Sequence, residues 1–311
     1  RSPRPLRLRN NSWIHYQKIP ASVQGFFIFK DMIIPPFLTQ GNVIGIVAPG
    51  RRVSPADIES AIRLFESLGY KVLPGENLFS TSHSYLSGSD QQRLSDLQAM
   101  INNPEVSVII SARGGYGTTR FIDNLNFSLF LQSPKWIVGF SDITALHLRL
   151  FKLGIESIHG IMPVLFSKAD ASPSIESLIK LLKGEAVPIE WNASEYNRKG
   201  KASGQLIGGN LSLIADSLGT ADEPDTAGKI LVIEEIEEYK YKIDRMMTQL
   251  LRAGKLENLA GLIAGHMTGI MDTQLNFGET VEEIILDKVK DFGYPVSFNF
   301  PSGHEQPNIA W

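Results

Sequence analysis

Four short stretches carry residue types that suit acyl-transfer chemistry. In Trp136-Ile-Val-Gly-Phe-Ser-Asp-Ile-Thr144 an apolar run ends at Phe140 and a helix begins at about Asp142. Ser141 therefore falls on the turn between them, at the carboxyl edge of a strand, where open parallel sheets bind ligands. A serine there can offer its hydroxyl to a cleft, and the Asp142 amide, at a helix N-terminus, can receive a developing oxyanion. The same pattern also suits a plain helix cap. It departs from the G-x-S-x-G elbow, because Ile143 stands where the second glycine belongs.

Ser111-Ala-Arg-Gly-Gly-Tyr-Gly117 again follows an apolar run. Its glycines let the backbone approach a ligand and present amide donors. An oxyanion donor from Gly114 or Gly115, a phosphate cradle and a simple tight turn all fit, although neither phosphate-loop fingerprint is present. Ile230-Leu-Val-Ile-Glu-Glu235 is an apolar strand ending in two acids. Strand alternation sends Glu234 and Glu235 to opposite faces, so only one can orient a histidine. The other reading is a solvated strand end, since Glu237 and Glu238 follow. Ser302-Gly-His-Glu-Gln-Pro-Asn308 puts His304 in a loop, as a general base or as an inert surface residue. Of the other histidines, His15 lies in the amino-terminal stretch, His83 in a polar loop and His147 on a helix. His159 and His266 end strands beside glycines. No HExxH or close histidine–carboxylate cluster is present, so neither a metal nor a cofactor is expected.

The elements that must position these residues alternate strand and helix. The runs Val43–Val47, Lys71–Leu73, Val106–Ser111 and Trp136–Phe140 are too short for helices and end in glycine, proline or polar residues. Between the first two, Ser54-Pro55 starts a helix whose apolar face is Ile58, Ala61, Ile62, Leu64 and Phe65, and Gly69 ends it. Such alternation implies a parallel sheet covered on both faces. After the polar stretch 173–203 comes a second α/β pattern, with strands expected at Ala202–Ile207, Lys229–Ile233, Leu259–Ala264 and Val296–Phe300. The expected division is an extension at 1–31, a nucleophile domain at 32–172, a linker at 173–203 and a smaller α/β domain at 204–311.

The 311 residues include 43% hydrophobic and 20% charged side chains, with a net charge of −3. This is a globular composition with no general attraction to nucleic acid or anionic membrane. There is no cysteine, which rules out disulfides, thiolate metal sites and a cysteine nucleophile and agrees with a cytoplasmic location. No apolar run reaches the roughly 18–20 residues that span a bilayer. The arginine-rich start, RSPRPLRLR, reads as an extension, with Met32 opening a normal domain.

Taken together and in order, these stretches resemble the LD-carboxypeptidase family of serine peptidases, which also contains the microcin C self-immunity peptidases. The resemblance is carried by IGIVAPG (44–50), YLSGSDQQRLSDL (85–97), RGGYGTTR (113–120), GFSDIT (139–144) and His159-Gly160. It continues through GQLIGGNLSLI (204–214), ILVIEEIEEYKYKIDR (230–245) and Gly303-His304…Asn308. It implies Ser141 as nucleophile, Glu234 and His304 as its partners, and oxyanion donors from Asp142 and from Gly114 or Gly115. It also implies a doubly wound N-terminal domain, a smaller C-terminal domain with the site between them, and a homodimer. The implied substrate is a murein-derived peptide losing a terminal D-amino acid. An aminoacyl-nucleotide antibiotic and a non-catalytic binding role are the alternatives. A substrate ending in a carboxylate calls for an arginine clamp. Arg113 is the candidate, with Tyr116 of the same loop as a further substrate contact. The sequence ends shortly after His304, from which a less firmly held His304 loop is expected.

Overall fold

The computed structural model describes residues 32–311; the expected extension at 1–31, with His15, lies outside them. In the first region β1 (Val43–Val47), β2 (Lys71–Pro74), β3 (Val106–Ser111), β4 (Trp136–Gly139) and β5 (Ile158–His159) alternate with α1 (Pro55–Ser67), α2 (Asp90–Asn102), α3 (Ser128–Gln132) and α4 (Thr144–Leu153). The sheet is parallel, in the order β2-β1-β3-β4-β5. Alternation along the strands feeds two cores. Val108, Ile110 and Ala112 face α1, whereas Ile109 and Ile137 face α2 and α4. Each buried aliphatic side chain contributes about 1.5–3 kcal/mol, and strands buried on both faces are apolar at nearly every position.

The helix signals act as expected at α1. Asp57 Oδ2 accepts from the Ser54 N–H at 2.7 Å, which holds the first turn from its third residue. Gly69 takes φ +85° just past the helix end, the usual place for a left-handed glycine. The segment 173–203, read as linker, starts within helix α5 (Ser172–Leu182). Leu178 and Leu182 of that helix are buried in the first core. Its proline at the start of a polar run masks an apolar face that only tertiary packing reveals.

The second region has β6 (Leu206–Asn210), α6 (Leu211–Asp216), β7 (Ile230–Ile236), α7 (Lys240–Arg252), β8 (Gly261–Thr268), α8 (Val281–Lys288) and β9 (Val296–Ser297). Its sheet is also parallel, ordered β6-β7-β8-β9. Helix α4 joins the two regions. Leu148 buries in the second core, Arg149 pairs with Asp222, and Thr144 Oγ1 accepts from the Asn210 N–H at 3.0 Å. Gly209 has φ +131°, and an added Cβ there would stand 2.5 Å from Thr144 Oγ1. Only glycine permits this approach. Among the described residues no helix is long and apolar enough to cross a membrane.

Candidate active site

Ser141 follows β4 and takes φ 62°. This is a left-handed backbone, rare outside glycine. Strain of this kind persists where surrounding structure enforces it, and here the next residue does so. Asp142, 1% exposed, accepts from the N–H groups of Gly117 (3.2 Å) and Thr118 (3.1 Å) and from Thr118 Oγ1 (2.7 Å). Burial pushes its carboxyl up, and the hydrogen bonds from Thr118 and Gly117 oppose that shift. The Asp142 side chain thus ties the glycine loop after β3 to the turn after β4. Gly114 packs on the serine itself, since a Cβ there would lie 3.1 Å from Ser141 Cβ. Arg93, buried on α2, completes the frame by donating to the carbonyls of Pro49 and Gly117.

On the other side of the cleft, Glu234 is the first of the two acids on β7 and is fully buried. The β7–β8 register shifts between Ile233 and Glu235, placing Gly265 and His266 beside it. Gly265 and Gly303 clear the space. A Cβ on the first would stand 2.4 Å from the Ser302 carbonyl, and one on the second 3.1 Å from Glu234 Oε2. Glu235 points the opposite way, accepting from Asn210 Nδ2 (2.9 Å), Ser212 N–H (2.8 Å) and Ser212 Oγ (2.6 Å) at the start of α6. Strand alternation thus separates the two acids, and Glu235 becomes a structural cap.

His304 lies between Ser141 and Glu234. Its Nδ1 is 2.7 Å from Glu234 Oε2 and its Nε2 is 3.1 Å from Ser141 Oγ. An ionised carboxylate only accepts, so Nδ1 carries the proton and Nε2 is left to accept from the serine hydroxyl. The Phe140 ring meets the imidazole edge-on at 5.0 Å. A serine hydroxyl with a base in reach, itself oriented by a third group, can be activated for attack.

The loop bearing His304 is firmly held, contrary to the expectation drawn from the sequence after it. Asn308, fully buried, accepts from Gly303 N–H (3.1 Å) through Oδ1 and donates its own N–H to Ser174 Oγ (2.8 Å). Trp311 exchanges backbone hydrogen bonds with His159 (3.0 and 3.1 Å), stacks on its ring and donates Nε1–H to Ser302 Oγ (2.8 Å). The residue types alone do not single out Gly265, Ser302, Asn308 or Trp311. Only Asn308 carries a signal, as the last letter of the Gly-His…Asn pattern.

The remaining candidates lie around this line. Arg113 is half-buried, and burial pushes its guanidinium below the usual range. Tyr116 is 52% exposed beside Arg120, at the rim. Neither hydrogen-bonds to Ser141, Glu234 or His304. His147 is buried, with Nε2 on the Gly139 carbonyl (2.9 Å) and Nδ1 on Ser157 Oγ (2.8 Å). His83 Nδ1 accepts from the Tyr85 and Leu86 amides, and His266 Nδ1 accepts from the Glu305 amide. Among the described residues no group of three histidine or acidic side chains could hold a metal. Two surface depressions, of about 480 Å³ beside Trp191 and 270 Å³ beside Lys180, are lined by none of the three central residues.

Two parallel α/β sheets, bridged by helix α4 and by the segment after His304 and meeting at a Ser–His–Glu line, define a two-domain α/β protein with hydrolase geometry. The chain belongs to the LD-carboxypeptidase family. The model of that family's N-terminal domain matches residues 44–160, and the model of its C-terminal domain matches 203–311. It is similar to a probable murein peptide carboxypeptidase of Bacillus subtilis, 36% identical over 91% of this chain and 90% of the relative. Among solved structures it is similar to muramoyltetrapeptide carboxypeptidase from Oxalobacter formigenes. The TM-score is 0.77 at 29% identity, covering 86% of this chain and 91% of the other. An MccF-like protein from Bacillus anthracis superposes equally well, with a TM-score of 0.77 at 23% identity over 90% and 93% of the two chains. That second likeness bears on the fold alone.

Proposed function

We propose that this protein is a serine-type LD-carboxypeptidase that releases the terminal D-alanine from murein tetrapeptides, acting in the cytoplasm during cell-wall recycling. The observation that carries this reading is the unbroken line from Ser141 Oγ through His304 to Glu234, with contacts of 3.1 and 2.7 Å. The names of the Bacillus and Oxalobacter relatives support the substrate class.

In the proposed reaction His304 Nε2 takes the Ser141 proton as Oγ attacks the carbonyl preceding the terminal D-residue. Glu234 holds the imidazole in the useful tautomer and offsets the charge it gains. The oxyanion is received by the Asp142 amide and by an amide of the glycine loop, that of Gly114, which packs on Ser141, or that of Gly115. Each such donor lowers the barrier by roughly 3–4 kcal/mol. His304 then returns the proton to the leaving amine, freeing D-alanine. Water, deprotonated by the same imidazole, hydrolyses the ester and restores Ser141.

The test is release of D-alanine from L-Ala-D-Glu-diamino acid-D-Ala by the wild type and by Ser141→Ala. We expect turnover by the first and a loss of at least about 10³-fold in the second, with unchanged melting temperature. Substantial turnover by the variant would remove Ser141 from the nucleophile's role.

A further inference from the structure

The loops after β1 and β3 hold two arginines that the Ser141–His304–Glu234 line does not use. Arg51 donates its backbone N–H to the Gly114 carbonyl at 3.0 Å. Gly115 has φ +102°, and a Cβ there would lie 2.7 Å from Arg51 Cβ and 3.3 Å from the Tyr85 hydroxyl. Arg51 thus lies across the glycine loop, with its guanidinium 5.4 Å over the Tyr85 ring. Arg113 directly precedes Gly114 on the same loop, and the Arg51 charge adds to burial in pushing its guanidinium down.

Neither guanidinium has a hydrogen bond or ion pair among the described residues. The nearby acid, Asp57, is occupied by the Ser54 N–H (2.7 Å) and hydroxyl (2.9 Å), and attracts Arg113 only at longer range. Two like charges close together, one of them half-buried, are unfavourable until an anion joins them. They also rise at the β1/β3 crossover, where the strand order reverses and open α/β sheets bind ligands.

We propose that Arg51, Arg113 and the Tyr85 hydroxyl form a carboxylate-binding subsite for the C-terminal carboxylate of the peptide. The proposal deepens the carboxypeptidase reading and rests on it. Both arginines flank the glycine loop that packs on the serine, where a Cβ on Gly114 would lie 3.1 Å from Ser141 Cβ, so the subsite borders the loop that faces Ser141.

The experiment compares L-Ala-D-Glu-meso-diaminopimelate-D-Ala with the same peptide ending in a carboxamide. The wild type should favour the free acid by about 100-fold in kcat/KM, the size expected for charge-assisted pairing. In Arg51→Ala/Arg113→Ala that preference should fall below about 5-fold, and Arg51→Lys/Arg113→Lys should recover part of it, because lysine keeps the charge but not the fork. Tyr85→Phe should lower it by about 3-fold. A double alanine variant that keeps the preference, or loses both substrates equally, overturns the clamp. So does a wild type that cleaves both peptides alike, which leaves the carboxypeptidase reading standing. A wild type that cleaves neither peptide removes that reading and the clamp with it.

Discussion

Ser141 lies two residues past the end of a regular strand and is aimed by its own backbone, at φ 62°, with the Asp142 carboxylate locking the neighbouring loop. His304 follows no regular element. Its loop is held by other segments: Glu234 on β7 meets the imidazole, Asn308 ties the loop to Ser174, and His159 stacks on Trp311. Ser141 is thus set by local geometry and His304 by tethers from outside its own segment. A site built this way tolerates different damage on its two sides. Substitutions near Ser141 matter where they alter the backbone, its packing or the Asp142 carboxylate that holds the loop, whereas near His304 the exchange of one polar atom is enough.

The sharpest separation of the two sides comes from Glu234→Gln. It keeps the size and burial of the side chain, but its amide can donate to Nδ1 and so present the wrong tautomer to Ser141. By analogy with the carboxylate of other serine triads, kcat should fall by about 10⁴-fold. KM should stay within about 3-fold, because the binding surface is unchanged. Steady-state kinetics read this directly. A fall of less than about 10-fold would show that Glu234 does not set the tautomer, and the contrast between the two sides would fail.

Gly114→Ala probes the other side. Its φ is not left-handed, so alanine fits the backbone, but the new Cβ would stand 3.1 Å from Ser141 Cβ and 3.3 Å from Met162 Cε. Ser141 must then give way slightly. Misplacing a reacting group by about 1 Å can cost 10²-fold, so kcat should fall by about 10- to 100-fold while melting temperature changes little. A variant as fast as the wild type would mean that the glycine loop does not position the serine. Loss equal to that of Glu234→Gln would mean that the oxyanion donors and not only packing had been displaced.

The same contrast explains what can be read from the sequence. The strand–turn–helix around Ser141 lies within nine consecutive residues, so period, glycine placement and capping residue types all report on it. The parallel sheets are legible for the same reason, as short apolar runs between amphipathic stretches. The tethers of His304 are not, because they join distant residues: Glu234 lies 70 positions away, and the ties of Asn308 to Ser174 and of Trp311 to His159 cross more than a hundred. Helix α5 is hidden similarly, its apolar face having meaning only once β1 and α1 supply the core. The choice between Glu234 and Glu235 needs the β7–β8 register shift, which leaves no local mark.

Acid should weaken the first region through a group that takes no part in the line. His147 is buried beneath β4, against the Gly139 carbonyl two residues before Ser141, and burial pushes its imidazole down to about 4. An unfolded chain protonates the same ring near 6.5. Below pH 6.5 the unfolded state therefore binds more protons than the folded one, and stability falls as pH falls. The loss levels off near pH 4 at about 3 kcal/mol, of which about 2 kcal/mol is reached by pH 5. His159, also buried and pushed well down, adds to it in the same direction. Melting temperature measured from pH 7 to pH 4.5 should drop steadily. His147→Gln should be less stable at pH 7 yet show a shallower slope, because one of the two buried rings is gone. An unchanged slope in that variant would place the acid sensitivity elsewhere, with the tethers of His304 as the next segment to examine by amide exchange.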